Sequence, residues 1–233
     1  MTSIRLNKFV SDSGYCSRRK ADELIASGLV YVGKTKAVIG QKITELDCNN
    51  ICINGQKVNT SNKKHYFAFY KPKGVITSLS DSQGTGLKKF LPSETRLFPI
   101  GRLDKDSEGL LLLTNDGEFA QRLSHPKYKK NKVYHLKFNS KPSLLGKSGI
   151  LKKFKKGIFH KKILFKVDDV HFIENNLLEI SLHEGKSRHI RIIAGKIGLS
   201  VQNLKRVKIG KLAIDKLKLK AGQMKKIKIG DIE

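Results

Sequence analysis

Hydrophobic spacing divides the chain into a short amino-terminal block of two helices and hairpins and a longer block dominated by alternating strands. In the first block Ile4, Leu6, Phe9 and Val10 form an apolar stripe that predicts one helix, stopped at Ser13-Gly14. Ser17 then has the position of an N-cap for a second helix, with Ala21, Leu24 and Ile25 inward and Gly28 past its end. Val30 and Val32 alternate into a strand, Gly33-Lys34 suits a type II′ turn, and Ile51 to Val58 reads as a hairpin around Asn54-Gly55. Ser61-Asn62-Lys63-Lys64 is polar throughout and marks a linker over residues 61–65, which sets one domain at 1–60 and a second at 66–233.

In the second block Tyr66 to Tyr70 reads as a strand that Lys71-Pro72-Lys73-Gly74 breaks and Val75 to Ser78 resumes. Thr85 to Leu91 reads as a short helix ended by Pro92. Phe98-Pro99-Ile100 then enters a polar loop in which Gly101 and Gly109 bracket Arg102, Asp104, Asp106 and Glu108. Leu110 to Thr114 carries the chain away as a buried strand, and Asn115-Asp116-Gly117 turns it into a helix over Glu118 to Leu123. Lys132 to Phe138 alternates, with Tyr134, Leu136 and Phe138 on one face and Val133 and His135 on the other. A helix over Leu144 to Lys156 follows, then a hairpin of Val170 to Ile173 with Leu177 to Leu182. Glu184-Gly185-Lys186-Ser187 caps a helix with Ile190, Ile193, Ala194 and Ile197 on one face, and short strands close the chain at Val207 to Ile209, Leu212 to Ile214 and Met224 to Ile229.

Charge changes this picture more than composition does. The 233 residues hold 47 Lys and Arg against 20 Asp and Glu, a net charge of +27 that opposes folding by self-repulsion and suits a polyanionic partner. Nucleic acid fits better than an anionic membrane, because the lysines are spread over both blocks rather than gathered on one amphipathic helix. No apolar run approaches a membrane span and no secretory leader opens the sequence, so a soluble cytoplasmic protein is expected. Cys16, Cys48 and Cys52 lack the paired spacing of a zinc site; reduced thiols are expected and no metal. From Lys141 to Lys166 nine lysines and no acid make a basic folded surface. Arg18, Arg19 and Lys20 open the second helix, and Lys186, Arg188 and Arg191 crowd the start of the last one. Cations there oppose the helix dipole unless phosphate or a carboxylate meets them. Gly146-Lys147-Ser148 and Gly185-Lys186-Ser187 are fragments of a phosphate loop without its earlier glycine, so nucleotide hydrolysis is not supported.

The candidate chemistry lies in the 101–109 loop, where rigid strands can hold a carboxylate at a cleft; from composition alone the same residues would make a solvated acidic turn. Two sets of motifs carry resemblances. Arg5-Leu6-Asn7-Lys8-Phe9, Gly14-x-x-Ser17-Arg18-Arg19-x-Ala21 and Leu24-Ile25-x-x-Gly28 resemble the S4 RNA-binding domain, departing from its pattern at Gly33-Lys34. Lys71-Pro72-x-Gly74, Gly101-Arg102-Leu103-Asp104 with Gly109 to Gly117, Lys132-x-Tyr134, and Glu184-Gly185-Lys186-x-Arg188-x-Ile190-Arg191 resemble the pseudouridine synthases of ribosomal RNA, namely small-subunit synthase A and the large-subunit synthases B, E and F. Leu204-x-Arg206-Val207-x-Ile209-Gly210 fits the same family, whereas His189 and Ile192-Ile193 depart from it.

The resemblance implies an α+β chain: a small S4-type domain, then a mixed, mainly antiparallel sheet with flanking helices and a central cleft. It implies Asp104 as catalytic nucleophile or base, Tyr134 against the target base, and Arg191 paired with Asp104. Arg5, Lys8, Arg18, Arg19, Lys20, Lys71, Lys73, Arg102, Lys132, Lys186 and Arg188 are then expected at RNA. The implied activity is conversion of uridine to pseudouridine in ribosomal RNA by a monomer without a cofactor, on free rRNA or an assembly intermediate, with 23S favoured over 16S by the flanks of the Asp104 loop. Two other readings stand beside it. A non-catalytic rRNA-binding protein explains the charge, and a glycosidic hydrolase would use Asp104 and Asp106 as a carboxylate pair.

Overall fold

The computed structural model describes residues 3–58, 63–80, 84–139 and 145–233. Its chain gathers into two compact units, Met1–His65 with Pro92–Leu97 and Asn115–Gly117, and Tyr66–Leu91 with Phe98–Thr114 and Glu118–Glu233.

In the first unit β1 (Ile4–Arg5) leads straight into α1 (Leu6–Asp12), which buries Leu6, Phe9 and Val10. α2 (Arg18–Ala26) starts where its cap dictates, with the Ser17 hydroxyl accepting the Lys20 amide at 3.1 Å. β2 (Val30–Val32) and β3 (Thr35–Lys36) join through Gly33 at φ 61° with Lys34 outside the left-handed region, the pattern of a II′ turn. β4 (Lys42–Ile43) pairs with β1, while β5 (Ile51–Ile53) and β6 (Gln56–Lys57) turn through Asn54 at 51° and Gly55 at 76°. The sheet order β3-β2-β5-β6 and the two helices share a core that includes Leu6, Val10, Ala21, Ile25, Val30 and Ile51.

The second unit is built on a mixed nine-stranded sheet. Its elements in chain order begin with β7 (Tyr66–Lys71), β8 (Phe98–Ile100), β9 (Glu108–Thr114), α3 (Gly117–Ser124) and β10 (Lys132–Asn139). α4 (Gly146–Lys156), the small hairpin of β11 (Ile158–His160) and β12 (Ile163–Phe165), β13 (Asp169–Glu174) and β14 (Leu177–Leu182) follow. α5 (His189–Lys196), β15 (Ser200–Ile209), β16 (Leu212–Ala213) and β17 (Met224–Lys226) complete it. The main order is β13-β14-β10-β15-β9-β7-β17, with β8 on β9 and β16 on β15. Every pairing is antiparallel except β15 with β9, where Arg206 stands opposite Gly109. All of β9 after Glu108 is buried, which is why its run of four leucines reads as a strand covered on both faces. The expected mixed, mainly antiparallel sheet with flanking helices is therefore present.

Several local expectations are corrected. Val75 to Ser78 is not a strand: after Gly74, at φ 87°, Ile76 and Leu87 donate backbone bonds to Thr85 and Ser78, and no regular ladder follows. The helix expected over Thr85 to Leu91 is a single 3-10 turn at Lys88–Phe90. α5 begins at His189, just past the Glu184–Ser187 stretch expected to cap it, but its N-cap is Arg188, left-handed at φ 53° and without a side-chain capping bond. β15 starts seven residues ahead of Val207, at Ser200, since its pairing with β10 overrides the weak alternation of its first half. The last strand stops at Lys226, ahead of a 3-10 turn at Ile229–Asp231. Leu144, Lys141, and Ser61 and Asn62 of the expected linker, lie outside the described residues.

Candidate active site

The loop from Gly101 to Gly109 leaves β8 and returns as β9, and three separate elements hold it. From the end of β7, Lys71 is fully buried and its ammonium donates to the carbonyls of Ser107 at 2.7 Å, Pro72 at 2.9 Å and Lys105 at 3.5 Å. From the segment after β7, the Gly74 amide donates to Lys105 O at 2.7 Å, and the Thr77 hydroxyl donates to Leu103 O at 2.6 Å while accepting from Leu103 N at 3.2 Å. From α5, Arg191 Nη2 donates to Asp106 O at 2.9 Å and to Ser107 Oγ at 3.1 Å. Inside the loop the Ser107 amide closes a turn on Asp104 O at 3.0 Å. The Asp104 backbone is thus fixed on both sides while its carboxylate stays free to meet a ligand.

That carboxylate is 31% exposed and faces Arg191 Nε at 4.0 Å, an ion pair without a hydrogen bond. Nε is buried and has no hydrogen-bond partner, so a small inward movement of Asp104 would turn this contact into a charge-assisted bond. Burial first, and then the neighbouring Arg188, push the Arg191 pKa down, while Asp104 and Asp106 draw it up. Arg188 stands 3.9 Å from Asp106 Oδ2. Its left-handed backbone costs about 1–3 kcal/mol, the kind of strain that functional loops carry.

Tyr134, on β10, lines the same small cavity of about 80 Å³ as Arg102, Asp104, Lys186 and Arg188. At 8% exposure its side chain is buried. The reason is its cross-strand neighbours Ile180 and Arg206. Arg206 is 2% exposed, its guanidinium carbon lies 6.0 Å from the Tyr134 ring centre, and Nη1 reaches Tyr134 Oη at 3.5 Å. Its Nε donates to Leu110 O at 2.7 Å, which ties β15 to β9 beside the loop. Gly109 permits this approach: at φ 105° it sits where a Cβ would overlap the Arg206 carbonyl and stand 2.8 Å from its nitrogen.

The structure thus brings Asp104, Tyr134, Arg191, Arg102, Lys186 and Arg188 together and separates the other expected residues. Lys71 does not face RNA: it is a buried clamp under the loop, and desolvation lowers its pKa to about 8. Lys132 is half-buried, bound to the Lys130 and His183 carbonyls at 3.2 and 2.9 Å, in an adjoining cavity. Lys186 Nζ meets Glu184 Oε1 and Leu164 O, both at 2.9 Å. Exposed Lys73 reaches Gln202 O at 3.4 Å, and Arg102 is exposed at the cavity edge. In the first unit Arg5 and Arg19 are exposed, Lys8 pairs with Asp12 at 2.8 Å, Arg18 contacts Asn7 at 3.4 Å, and Lys20 pairs with Glu23 at 2.9 Å. Arg206 was not among the expected site residues. The signal was available, since this chain takes lysine in 38 of its 47 basic positions and a buried arginine opposite a motif tyrosine needs a reason.

A larger groove of about 510 Å³, lined among others by Tyr70, His135, Glu179 and Lys205, is chemically quiet by comparison. Several of its polar groups are already engaged: His135 with Glu179 at 3.0 Å, Tyr70 with Glu108 at 3.2 Å, and Lys205 over the Tyr70 ring at 4.9 Å.

The family model for RNA pseudouridylate synthase matches residues 65–195, which contain Asp104, Tyr134 and Arg191. The chain belongs to that family. An S4 domain model matches residues 4–45 of the same synthase. A ribosomal large subunit pseudouridine synthase B of Bacillus subtilis is 40% identical, over 87% of this chain and 84% of its own. An uncharacterized RNA pseudouridine synthase of Aquifex aeolicus is 37% identical over 93% and 88%. A solved pseudouridylate synthase structure superposes with a TM-score of 0.67 over 98% of both chains, and its 23% identity speaks for the shared fold.

Proposed function

We propose that this synthase converts uridine to pseudouridine at a specific position of ribosomal RNA, with 23S rRNA as its substrate. The observation that carries the reading is a clamped carboxylate, Asp104, sharing a cavity with a tyrosine and facing an arginine whose buried Nε is an unused donor. Similarity to a large-subunit enzyme along most of both chains supports 23S over 16S. In the reaction the bond from ribose C1′ to uracil N1 breaks, the base turns, and C5 bonds to C1′. C5 gives up its proton and N1 gains one, so the change is an isomerisation balanced within the substrate and calls for no cofactor. Asp104 serves as nucleophile or base, with Arg191 facing its carboxylate at 4.0 Å. Tyr134 packs against a uracil that has left its stack, which costs a few kcal/mol, least at an unpaired base.

In this reading residues 1–60 form an RNA-binding domain, 66–233 the catalytic domain, and Arg18, Arg19 and Lys20 meet backbone phosphates. The protein works as a cytoplasmic monomer on free rRNA or an assembly intermediate. Mapping pseudouridines in both rRNAs from cells with and without the gene tests the proposal. Loss of one or a few pseudouridines from 23S rRNA is expected. Unchanged maps of both rRNAs would instead favour a binding role without catalysis.

A further inference from the structure

Beyond Tyr134 the cleft continues into a second cavity of about 300 Å³, within the range of small-ligand sites, with Arg102, Lys132, His183, Lys186 and Arg206 among its walls. Besides exposed Arg102, two of these cations, Lys132 and Arg206, have no acidic partner among the described residues. Lys132 Nζ spends its bonds on two carbonyls. Arg206, 2% exposed, spends Nε on Leu110 O and Nη1 on Tyr134 Oη, while its Nη2 is buried with no partner. Burial and the nearby Arg206 charge together hold the Lys132 pKa down to about 8. Glu184, the acid of this wall, is occupied by Lys186 at 2.9 Å. His183 is fixed by Asp168 Oδ2 at 2.7 Å through Nδ1, which leaves its Nε2 available.

Buried charges are ordinarily paired, and two like charges left without a counter-charge repel one another in a poorly solvated wall. An anion placed between them would remove that cost. Because Tyr134 lines both this cavity and the one holding Asp104, the anion would sit beside the target base, where RNA offers one phosphate per nucleotide. We propose that this cavity is a phosphodiester subsite that takes the backbone phosphate next to the uridine at Asp104, with Lys132 and the unpartnered Arg206 Nη2 as donors. It rests on the uridine-isomerising reading above and assigns Arg206 and Lys132 to locating the flipped nucleotide.

The test uses the full chain and a 23S rRNA transcript, with wild type, Lys132→Gln and Arg206→Lys compared in RNA binding across a salt series and in steady-state kinetics. Arg206→Lys keeps a buried cation and removes the planar fork, so it covers the case in which Lys132→Gln does not fold. Lys132→Gln should flatten the log–log salt slope by about 0.7, the value for one phosphate contact on a single strand, whereas Arg206→Lys keeps its charge and should hold the wild-type slope. KM for RNA should rise about tenfold, with a smaller loss in kcat. Folded variants with the wild-type slope and KM would overturn the subsite while leaving the isomerase reading intact. A Lys132→Gln variant that flattens the slope of a wild type that makes no pseudouridine would overturn the isomerase reading and leave the phosphate contact standing.

Discussion

Replacing Lys71 by methionine should separate stability from catalysis in this protein. The substitution keeps an unbranched side chain of similar length in a fully buried position and removes two short charge-assisted hydrogen bonds and one long one to the carbonyls of Ser107, Pro72 and Lys105. Bonds from a charged donor contribute about 1.5–3 kcal/mol each, so their loss alone would destabilise by several kcal/mol. Removing a buried ammonium recovers a desolvation cost that is also several kcal/mol. The two nearly cancel, and the net change should stay within about 2 kcal/mol. Catalysis has no such compensation. Lys71 joins the end of β7 to the turn that presents Asp104, and a displacement of the reacting group by about 1 Å costs about a hundredfold in rate. Formation of pseudouridine releases the proton from C5, so tritium release from a transcript labelled at C5 reads kcat directly, and urea unfolding reads stability. Lys71→Met should unfold near the wild-type midpoint, bind RNA with the wild-type salt slope, and turn over about a hundredfold more slowly. A folded variant with kcat within threefold of wild type would refute the clamp, and a flatter salt slope would return Lys71 to the RNA surface.

Four further outcomes follow from the same geometry. Asp104→Asn should abolish tritium release while keeping RNA affinity within about a few-fold, because only the reacting oxygen is exchanged; turnover by a purified variant would remove Asp104 from the chemistry. Gly109→Ala should lower the thermal midpoint sharply and disturb the β9–β15 pairing, since its Cβ has no room at Arg206; a midpoint within a degree or two of wild type would contradict that close approach. Arg18→Ala with Arg19→Ala should flatten the salt slope by about one to two units and weaken different RNAs alike, which a filter-binding series measures. Finally, burial sets Lys71 and Lys132 at about 8, below the roughly 10.4 of an unfolded lysine, so the folded chain holds fewer protons across that interval. Stability should rise as pH climbs from about 8 to about 10.4 and be lost again on the way down, and a Lys71→Met, Lys132→Gln double variant should show a shallower rise in its urea midpoint.

The parts of this protein that the sequence makes legible are those governed by short-range rules. Ser17 caps α2, Gly33-Lys34 and Asn54-Gly55 close hairpins, and the alternation of Tyr134, Leu136 and Phe138 places them on the buried side of β10, because capping, turn conformation and pleat act within a few residues. Arg191 also meets Asp104, as its motif implied. The expectations that fail depend on partners distant in sequence. Val75 to Ser78 has the composition of a strand, but Thr77 is drawn onto Leu103 and the segment becomes a brace for the loop. Lys71, beside a proline and a glycine in a chain of exposed lysines, reads as one more phosphate contact; only the loop leading into β9 adds the distant carbonyls of Lys105 and Ser107 to that of neighbouring Pro72.

Arg206 and Lys132 show the same limit from the electrostatic side. Net charge distinguishes a chain that seeks polyanions from one that does not, but it gives equal weight to a solvated lysine and to a cation sealed in a wall. A solvated charge contributes mainly to long-range attraction, is screened within about 8 Å at physiological salt, and tolerates substitution. A sealed one is costly until its counter-charge arrives, so its position encodes where that charge must sit. In this synthase the cations withdrawn from solvent are not in the lysine-rich stretch up to Lys166, whose described lysines stand in solvent: Lys71 at the end of β7 has its charge met by three carbonyls, whereas half-buried Lys132 in β10 and buried Arg206 in β15 flank Tyr134 without an acid. The proposed subsite therefore assigns attraction of RNA and location of a single nucleotide to different residues, and the two it uses for location lie where strand pairing, rather than composition, brings them together.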